Sequence, residues 1–294
     1  MEEYLTDFIS FLSRERGASV STLESYQRDL KAYLRFLTEE QIDSLLGVRR
    51  DTVQKYLCAQ QKKGKAGTTV ARSLSSIRSL YQYLLERGMI EQNPTEAIHI
   101  DRGEKKAPRI LTNQEVELFL EQPKAVDSKG CRDKAMLELM YATGMRVSEL
   151  ISLNVADLNL PSRQLFCGGG VHRRAVPMYE TAALCLEEYL KKARPYLVMS
   201  PDEPALFVNC KGSRFSRQGF WKLVKHYQQQ AGLKKGITPQ SLRQSFATHL
   251  MENGADVASI QKIMGHTSAS ATQVYARLAK ARMQDVYHRT HPRA

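Results

Sequence analysis

The feature that most constrains the fold is the helical spacing of apolar residues in the first hundred positions. Two stretches carry an apolar residue at every third or fourth position: Tyr26, Leu30, Tyr33, Leu34 and Leu37, and then Val70, Leu74, Ile77, Leu80, Tyr81 and Leu84. Ser21 or Thr22 is expected to cap the first of these helices. Weaker helical patterns lie near residues 2–15 and 51–63, so residues 1–100 are predicted to form a small four-helix bundle.

A second domain is predicted after a short linker. Residues 101–110 are charged, contain Gly and Pro, and show no periodicity, which is typical of a segment between domains. Thr112 is expected to cap a new helix at the start of a domain spanning 111–294. Residues 156–178 alternate short apolar runs with turn residues, which indicates a small antiparallel sheet, and helical patterns return near 180–196. The predicted fold is therefore mainly α, with a small antiparallel β-sheet in the second domain.

The charge of the chain favours a polyanionic partner. The net charge is +12, and it is unevenly distributed. Residues 1–103 hold 15 Lys and Arg against 14 Asp and Glu, whereas residues 104–294 hold the remaining 28 and 17. Nucleic acid is the usual partner of such an excess, although a merely soluble basic protein is an open alternative. In the first domain, the basic residues off the apolar stripes either contact phosphates or form a solvated face: Lys31, Arg35, Arg72 and Arg78.

Several classes of protein are disfavoured by composition. The five cysteines show no metal-ligand or CxxC spacing, which is typical of reduced thiols in a cytoplasmic protein. The first residues, MEEYLTDFISFL, begin with acidic side chains and are unlike a signal peptide. No apolar stretch approaches about 20 residues, so no membrane span is expected.

Candidate site residues lie at the ends of predicted helices. Thr238 and Pro239 are expected to begin a helix that places Arg243 near its positive end, where a phosphate can bind. Asp256 is expected to cap a later helix that Gly265 ends, and His266 follows at once. Tyr275 lies nine residues further on. Taken alone, Arg243 is more often a surface arginine, and a single histidine or tyrosine is usually structural.

An arginine presented from a turn completes this set. The segment YATGMRVSEL, residues 141–150, places Arg146 shortly after Gly144, which is expected to break a helix or to form a tight turn.

Together the segments ATGMRVSEL, LRQSFATHL, MGH and Tyr275 resemble, in order and spacing, the motif series of the tyrosine site-specific recombinases of the phage integrase family. The resemblance covers essentially the whole chain, and the terminal HPRA looks like the end of the XerD group. The chain therefore resembles the Xer subgroup, closest to XerD and XerC. It implies a two-domain DNA clamp, in which a SAM-like helical N-terminal domain precedes the catalytic domain.

The resemblance also implies a role for each matching residue. Arg146 and Arg243 would grip the scissile phosphate, and His266 would hydrogen-bond a non-bridging oxygen. Tyr275 would be the nucleophile that forms a 3′-phosphotyrosine, with no metal, ATP or other cofactor. These residue types suit phosphoryl transfer, because fixed arginines stabilise charge on the equatorial oxygens of the transition state.

Two positions depart from the family. Gly169 stands where the family has a lysine that is thought to protonate the leaving 5′-hydroxyl, and no lysine occurs between Lys134 and Lys191. Gln240 stands where the family has His or Lys. Three interpretations remain open: an active enzyme with another proton donor, slow cleavage that depends on a partner, or a DNA-binding relative with weak or no cleavage. His172, Arg173 or water is the candidate donor for the first.

The resemblance implies further partners. Double-stranded DNA bearing a recombination site would be bound by a homo- or hetero-tetramer that includes a second Xer-type recombinase, with the tail after Tyr275 docking on a neighbour. Chromosome dimer resolution is favoured over the integration or excision of a mobile element, because no arm-binding extension precedes residue 1. A type IB topoisomerase and a non-cutting regulatory factor are the other candidates. Plausible DNA contacts are His172, Arg173, Arg174, Lys222 and Lys225.

Overall fold

The computed structural model describes residues 1–101, 109–170, 173–234, 236–266, 268, 272–277 and 279–280. The chain divides into two compact units, Met1–Lys106 and Ala107–Ala294. Both are mainly helical, and the second contains a small antiparallel sheet, as the sequence predicts. No helix of the described part of the chain is long and apolar enough to cross a membrane.

The first unit is built from four helices, α1 (Glu2–Arg14), α2 (Val20–Glu39), α3 (Arg50–Lys62) and α4 (Gly67–Glu86). Their apolar faces enclose one core with three fully buried tyrosines, Tyr33, Tyr56 and Tyr81. The hydroxyls of Tyr33 and Tyr81 lie 3.1 Å apart, so these buried polar groups satisfy each other. The two weaker helical patterns predicted near residues 2–15 and 51–63 are the helices α1 and α3.

The predicted cap of α2 is wrong. The cap is Ser19, whose hydroxyl accepts from the amide of Thr22, and Ser21 lies inside the helix. Gly17, two residues before this cap, has φ +59, which allows the chain to turn between α1 and α2. Arg78 is half-buried, and its Nη2 donates to the carbonyls of Thr95 and Ile98.

The second unit packs helices around the sheet. Its elements are α5 (Asn113–Leu120), α6 (Ser128–Thr143), α7 (Val147–Ser152), β1 (Leu158–Asn159), β2 (Gln164–Cys167), β3 (Arg174–Pro177), α8 (Glu180–Glu188), α9 (Arg217–Gln230), α10 (Pro239–Glu252) and α11 (Val257–Met264). A π turn (Tyr189–Ala193) extends α8, and residues 272–277 are again helical. The strands pair in the order β1-β2-β3, with Leu165 opposite Val176.

Two cores hold this unit together. The larger centres on α6, which is buried over most of its length because it packs against α5, α8 and α10. The smaller contains Phe246 and Ala247 of α10, Ile260 and Met264 of α11, and Tyr275. The candidate site lies beside this second core, so the packing of α10 against α11 fixes the position of its side chains.

Candidate active site

Arg146 is presented by the turn between α6 and α7. Gly144 ends α6 with φ +56, and a Cβ there would lie 2.2 Å from the ring of Phe246, so both backbone and packing require glycine. Arg146 precedes the first residue of α7, and its amide donates to Oε2 of Glu149 at 2.7 Å. Its side chain is 46% exposed, which leaves part of the guanidinium open to a ligand.

Arg243 is held rigidly inside the protein. Thr238 caps α10 and Pro239 begins it, as predicted, which places Arg243 in the early part of the helix. The side chain is buried, and its guanidinium donates to the carbonyls of Gly144 and Met264. Burial and the neighbouring charge of Arg146 lower its pKa to about 10, so Arg243 remains a cation at neutral pH.

Three arginines converge on the C-terminal end of α11. Arg174 Nε donates to the carbonyl of Ile263 at 2.6 Å, Arg243 Nη2 to that of Met264 at 2.8 Å, and Arg146 Nη2 to that of Gly265 at 3.2 Å. A helix C-terminus has unpaired carbonyls and a partial negative charge. It therefore stabilises this concentration of positive charge without any bound anion.

Glu149 supplies the carboxylate in the cluster. It binds Arg174 in a bidentate manner, with Nη1–Oε1 at 2.9 Å and Nη2–Oε2 at 3.2 Å, and it also pairs with Arg146 at 3.3 Å. Burial opposes ionisation of Glu149, but the hydrogen bonds from Arg174 and from the amide of Arg146 outweigh it and lower the pKa. Glu149 thus orients two arginines at once.

His266 follows Gly265, the left-handed cap of α11 with φ +63. Its Nε2 lies 3.0 Å from Nη2 of Arg243, and its Nδ1 lies 2.8 Å from Oγ1 of the buried Thr272. Because a guanidinium only donates, Nε2 accepts and Nδ1 carries the proton. Burial and the charge of Arg243 lower the pKa of His266 to about 4, so the ring is neutral at pH 7.

Tyr275 lies beside this histidine. The two rings stack with centroids 6.1 Å apart, and Tyr275 is buried against the core between α10 and α11. Burial raises the pKa of Tyr275, while the charges of Arg243 and Arg146 act in the opposite direction. The phenol is therefore protonated at neutral pH.

A cavity of about 690 Å³ opens beside the two arginines. Arg146, Arg243 and the exposed Gln240 line it, together with Arg217 and Trp221 from α9. Tyr275 and His266 do not belong to its described lining. The structure therefore brings Gln240 into the same site as the arginines and places Tyr275 behind the arginines in the apolar core.

The position at which the family has a lysine lies on the open surface of the protein. Gly169 is exposed in the loop between β2 and β3, and a Cβ added there would meet nothing within 4 Å. Arg173 in the same loop pairs with Asp157 at 3.5 Å and lies 5.2 Å from the ring of Phe166. His172, also predicted as a DNA contact, lies outside the described residues.

The other predicted DNA contacts differ in their surroundings. Arg174 has a side chain only 11% exposed and is bound to Glu149, so in this conformation it supports the site from within. Lys222 is exposed on α9. Lys225 is half-buried on the same helix, and its Nζ lies 5.6 Å from the ring of Trp221 and 3.1 Å from Oε1 of Gln228. Their contacts with phosphates stay predictions.

Sequence reasoning missed two residues of the cluster, Glu149 and Thr272. Glu149 lies three residues after Arg146 at the start of a helix, which is the spacing of a residue that bonds back to a helix cap, and this signal was available. Thr272 gave no signal, because no helix-cap or turn pattern predicts a hydrogen bond between side chains six positions apart. Among the described residues, no group of three or more His, Cys, Asp or Glu is arranged to hold a metal ion.

Comparison with known proteins decides the family. Residues 109–282 match the phage integrase family, and residues 5–88 match the phage integrase N-terminal SAM-like domain. The chain belongs to the phage integrase family. It is a tyrosine recombinase of the Xer subgroup, as the motif series indicates.

Curated relatives of this family align over the full chain. The tyrosine recombinase XerD of Halalkalibacterium halodurans is 42% identical over 99% of this chain and 98% of its own length. The XerD of Oceanobacillus iheyensis is 44% identical over the whole of both chains.

Solved structures of recombinases share the fold. The crystal structure of the XerA recombinase is 26% identical, with a TM-score of 0.56 over 100% of this chain and 99% of that one. A post-cleavage complex of the XerH site-specific recombinase with palindromic difH substrate is 22% identical, with a TM-score of 0.75 over 96% of this chain and 83% of that one. At that identity the second likeness shows the fold.

Proposed function

We propose that this chain performs site-specific DNA recombination by cutting and rejoining strands through a 3′-phosphotyrosine. The observation that carries the proposal is the convergence of Arg146, Arg243, His266 and Tyr275 around the end of α11. Two arginines neutralise a phosphodiester without a metal ion, because a guanidinium keeps its charge and presents several donors in a fixed plane.

The chemistry assigns one step to each residue. Oη of Tyr275 attacks the scissile phosphorus, forming a phosphorus–oxygen bond while the bond to the 5′ oxygen breaks. The phenol loses its proton to solvent, and the 5′ oxygen gains one. Arg146 and Arg243 stabilise the equatorial oxygens of the transition state. A phosphate beside His266 favours its protonated form, in which Nε2 donates to an oxygen. The energy of the broken bond is kept in the phosphotyrosine, so no ATP is consumed.

In the family a lysine is thought to protonate the 5′ oxygen, and in this chain Gly169 stands in its place. Arg173 lies in the same loop as Gly169, with a side chain that is 58% exposed. A guanidinium keeps its proton at neutral pH, so Arg173 is proposed to hydrogen-bond the leaving oxygen while water supplies the proton. Gln240 contributes an uncharged hydrogen bond from the wall of the cavity.

The same proposal assigns a role to each domain. Residues 1–100 form the core DNA-binding domain, 101–110 the linker, and 111–294 the catalytic domain. The partner is double-stranded DNA carrying a recombination site, bound by a tetramer that includes a second Xer-type recombinase. The net charge of +12 supports a DNA partner, as do the DNA complexes among the solved structures. The cellular role is chromosome dimer resolution, or integration and excision of an element, in the cytoplasm.

A second candidate function is a DNA-binding protein that cleaves weakly or not at all. Two observations favour it: Gly169 leaves an empty surface where the family has its lysine, and Gln240 can carry neither a charge nor a proton. Losing a general acid typically slows a reaction by about 10²–10⁴-fold. The retained arginines, histidine and tyrosine favour the cutting enzyme.

A suicide-substrate assay separates the two functions. The full chain is mixed with a nicked duplex bearing an Xer-type site, and a covalent protein–DNA band is sought on a denaturing gel. Tyr275→Phe should bind the duplex on a native gel and give no band, whereas Tyr196→Phe, which alters a highly exposed tyrosine of the same unit, should keep it. An adduct that persists in Tyr275→Phe removes the assignment of the nucleophile. Binding without any adduct favours the non-cutting function.

A further inference from the structure

A small cavity lined by both polar and apolar side chains lies in the first unit, between α2, α3 and α4. Its volume is about 110 Å³, and its lining includes Arg28, Lys65, Thr69 and Arg72. Arg28 and Lys65 are exposed side chains, so a charged group can reach them from solvent. Because one water molecule occupies about 30 Å³ in the liquid, the cavity has room for a phosphate group.

The positive charge in this cavity is only partly neutralised. Asp29 is the carboxylate of the described lining, and it is buried between α2 and α4. It accepts from Nη1 of Arg72 and from Oγ of Ser76, the latter at 3.1 Å. Asp29 thus holds Arg72 in place, and the charges of Arg28 and Lys65 are left without a compensating carboxylate in the lining.

Gln60 is the observation that points to a ligand. Its side chain lines the cavity from α3 and is only 5% exposed, yet its Oε1 has no hydrogen-bond partner. A buried polar atom without a partner costs about 1–3 kcal/mol, so such atoms occur mostly where a ligand or water completes them. The carboxamide presents either its oxygen or its NH₂ group after a half-turn about its last bond, so it can donate to an anion.

The N-terminus of α4 adds to the same site. The residue before this helix is Ala66, which has no side chain able to cap the amides of the first turn. Lys65, just before the cap, and Thr69, within the first turn, both line the cavity. The positive end of a 20-residue helix therefore lies beside the two uncompensated basic side chains.

We infer that this cavity, named here the Gln60 pocket after its unpaired side chain, binds one backbone phosphate of duplex DNA. Arg28, Lys65 and Thr69 donate to the phosphate oxygens, and Gln60 turns its NH₂ group toward them. The contact carries no base information, so it fixes the position of the first domain along the strand. This inference rests on the proposed function, because it requires the chain to bind DNA.

Salt-dependent binding of the full chain to duplex DNA tests the pocket. Each phosphate contact contributes about 0.9 to the slope of log K against log salt. Lys65→Ala and Arg28→Ala should each lower the slope, and the double variant should lower it by about that amount, because both side chains bind the same phosphate. The loss of affinity between 50 and 200 mM salt should then shrink by about 3.5-fold in the double variant. Affinity should fall by the same factor on specific and on random duplexes. Lys63→Ala, in the same loop but outside the cavity, is the matched control.

Gln60→Met separates binding from folding, since it keeps the length of the side chain and removes the unpaired oxygen. The variant should unfold at the same or a higher temperature than the parent chain, because a buried unsatisfied atom is gone. Its DNA affinity should nevertheless fall. Unchanged affinity in Gln60→Met, Lys65→Ala and Arg28→Ala, beside a parent chain that binds DNA, overturns the inference and leaves the proposed function intact.

Single methylphosphonate linkages identify the phosphate. A duplex series is made in which one charged linkage at a time is neutral, and the losses caused by Lys65→Ala and Gln60→Met are measured on each. At one linkage the two losses should vanish, because the partner of the pocket is already absent. The DNA contact is overturned if the losses are equal at every linkage. If inorganic phosphate then raises the unfolding temperature of the parent chain but not that of Lys65→Ala, the pocket binds a free anion instead.

Discussion

His266 accepts a hydrogen bond at Nε2 from the guanidinium of Arg243, across 3.0 Å. The same ring donates from Nδ1 to Thr272, so both nitrogens are used and the tautomer is fixed. In the free protein the histidine therefore faces the site as a neutral acceptor. A phosphate that binds Nη2 of Arg243 must replace or share one of its bonds, because both hydrogens of this nitrogen are used, by Met264 and His266.

Acid should destabilise the protein through His266. The pKa is about 4 in the folded chain against an ordinary value of 6.5, so between these values the unfolded chain binds a proton that the folded chain does not. Stability consequently falls as pH drops from about 6.5 to about 4. His266→Gln should flatten this part of the curve, measured by urea unfolding at half-unit pH steps. An unchanged curve would show that the ring is not held neutral.

Gly169→Lys should accelerate cleavage if protonation of the leaving group limits the rate. A Cβ added at this position meets nothing within 4 Å, and a general acid typically contributes about 10²–10⁴-fold. The rate of adduct formation on a suicide substrate is the measurement. Gly170→Lys is the control, because φ +52 at Gly170 strains any side chain placed there. Equal rates in Gly169→Lys and the parent chain would mean that another group already serves.

Glu149→Gln should loosen the arginine cluster. It removes the charge that binds Arg174, whose side chain is nearly buried, and we expect a loss of about 1–3 kcal/mol in the free energy of unfolding. Cleavage should slow as well, because Arg146 loses the same partner. Glu180→Gln, which breaks a solvent-exposed pair with Arg163, should cost under about 1 kcal/mol. Similar losses in both variants would contradict the role given to Glu149.

Ser245→Ala should weaken the attachment of the segment around Leu111, near the start of the second unit, to α10. Oγ of Ser245 accepts from the amide of Leu111 at 2.8 Å, and His249 Nε2 lies 2.8 Å from the carbonyl of the same residue. Removing the hydroxyl leaves a buried amide unpaired, at a cost of about 1–3 kcal/mol. Hydrogen exchange at Leu111 should become faster, while Ser162→Ala on an exposed turn leaves it unchanged. Equal protection in the two variants would show that the bond is not formed in solution.

Features set by neighbouring residues were predictable from the sequence. Thr112, Thr238 and Asp256 cap their helices as expected, because each stands directly before an amphipathic pattern with a free amide to bind. The start of α2 was misread because Ser19, Ser21 and Thr22 are all competent caps. Only the turn at Gly17 selects the first of them.

Contacts between distant residues were not predictable. Glu149 and Arg174 lie 25 positions apart on α7 and β3, and their pairing depends on the tertiary fold that brings these two elements together. The burial of Tyr275 likewise depends on where α10 and α11 meet. Neither the Glu149–Arg174 pair nor the burial of Tyr275 leaves a periodic pattern in the sequence. The motifs therefore identified the candidate catalytic residues but not their geometry.

The carbonyl oxygens at the end of α11 take the place that phosphate oxygens would have as acceptors for the arginines. The last carbonyls of this helix accept hydrogen bonds from Arg146, Arg174 and Arg243. Binding of a phosphate at this cluster is therefore an exchange of one oxygen ligand for another. The side chains lose little further freedom in the exchange, since folding has already ordered them. The measured affinity for the scissile phosphate then reflects the difference in free energy between the hydrogen bonds to phosphate and those to the carbonyls. A substitution that weakens the packing of α11 should therefore tighten binding of the phosphate in the ground state and align it less well for reaction.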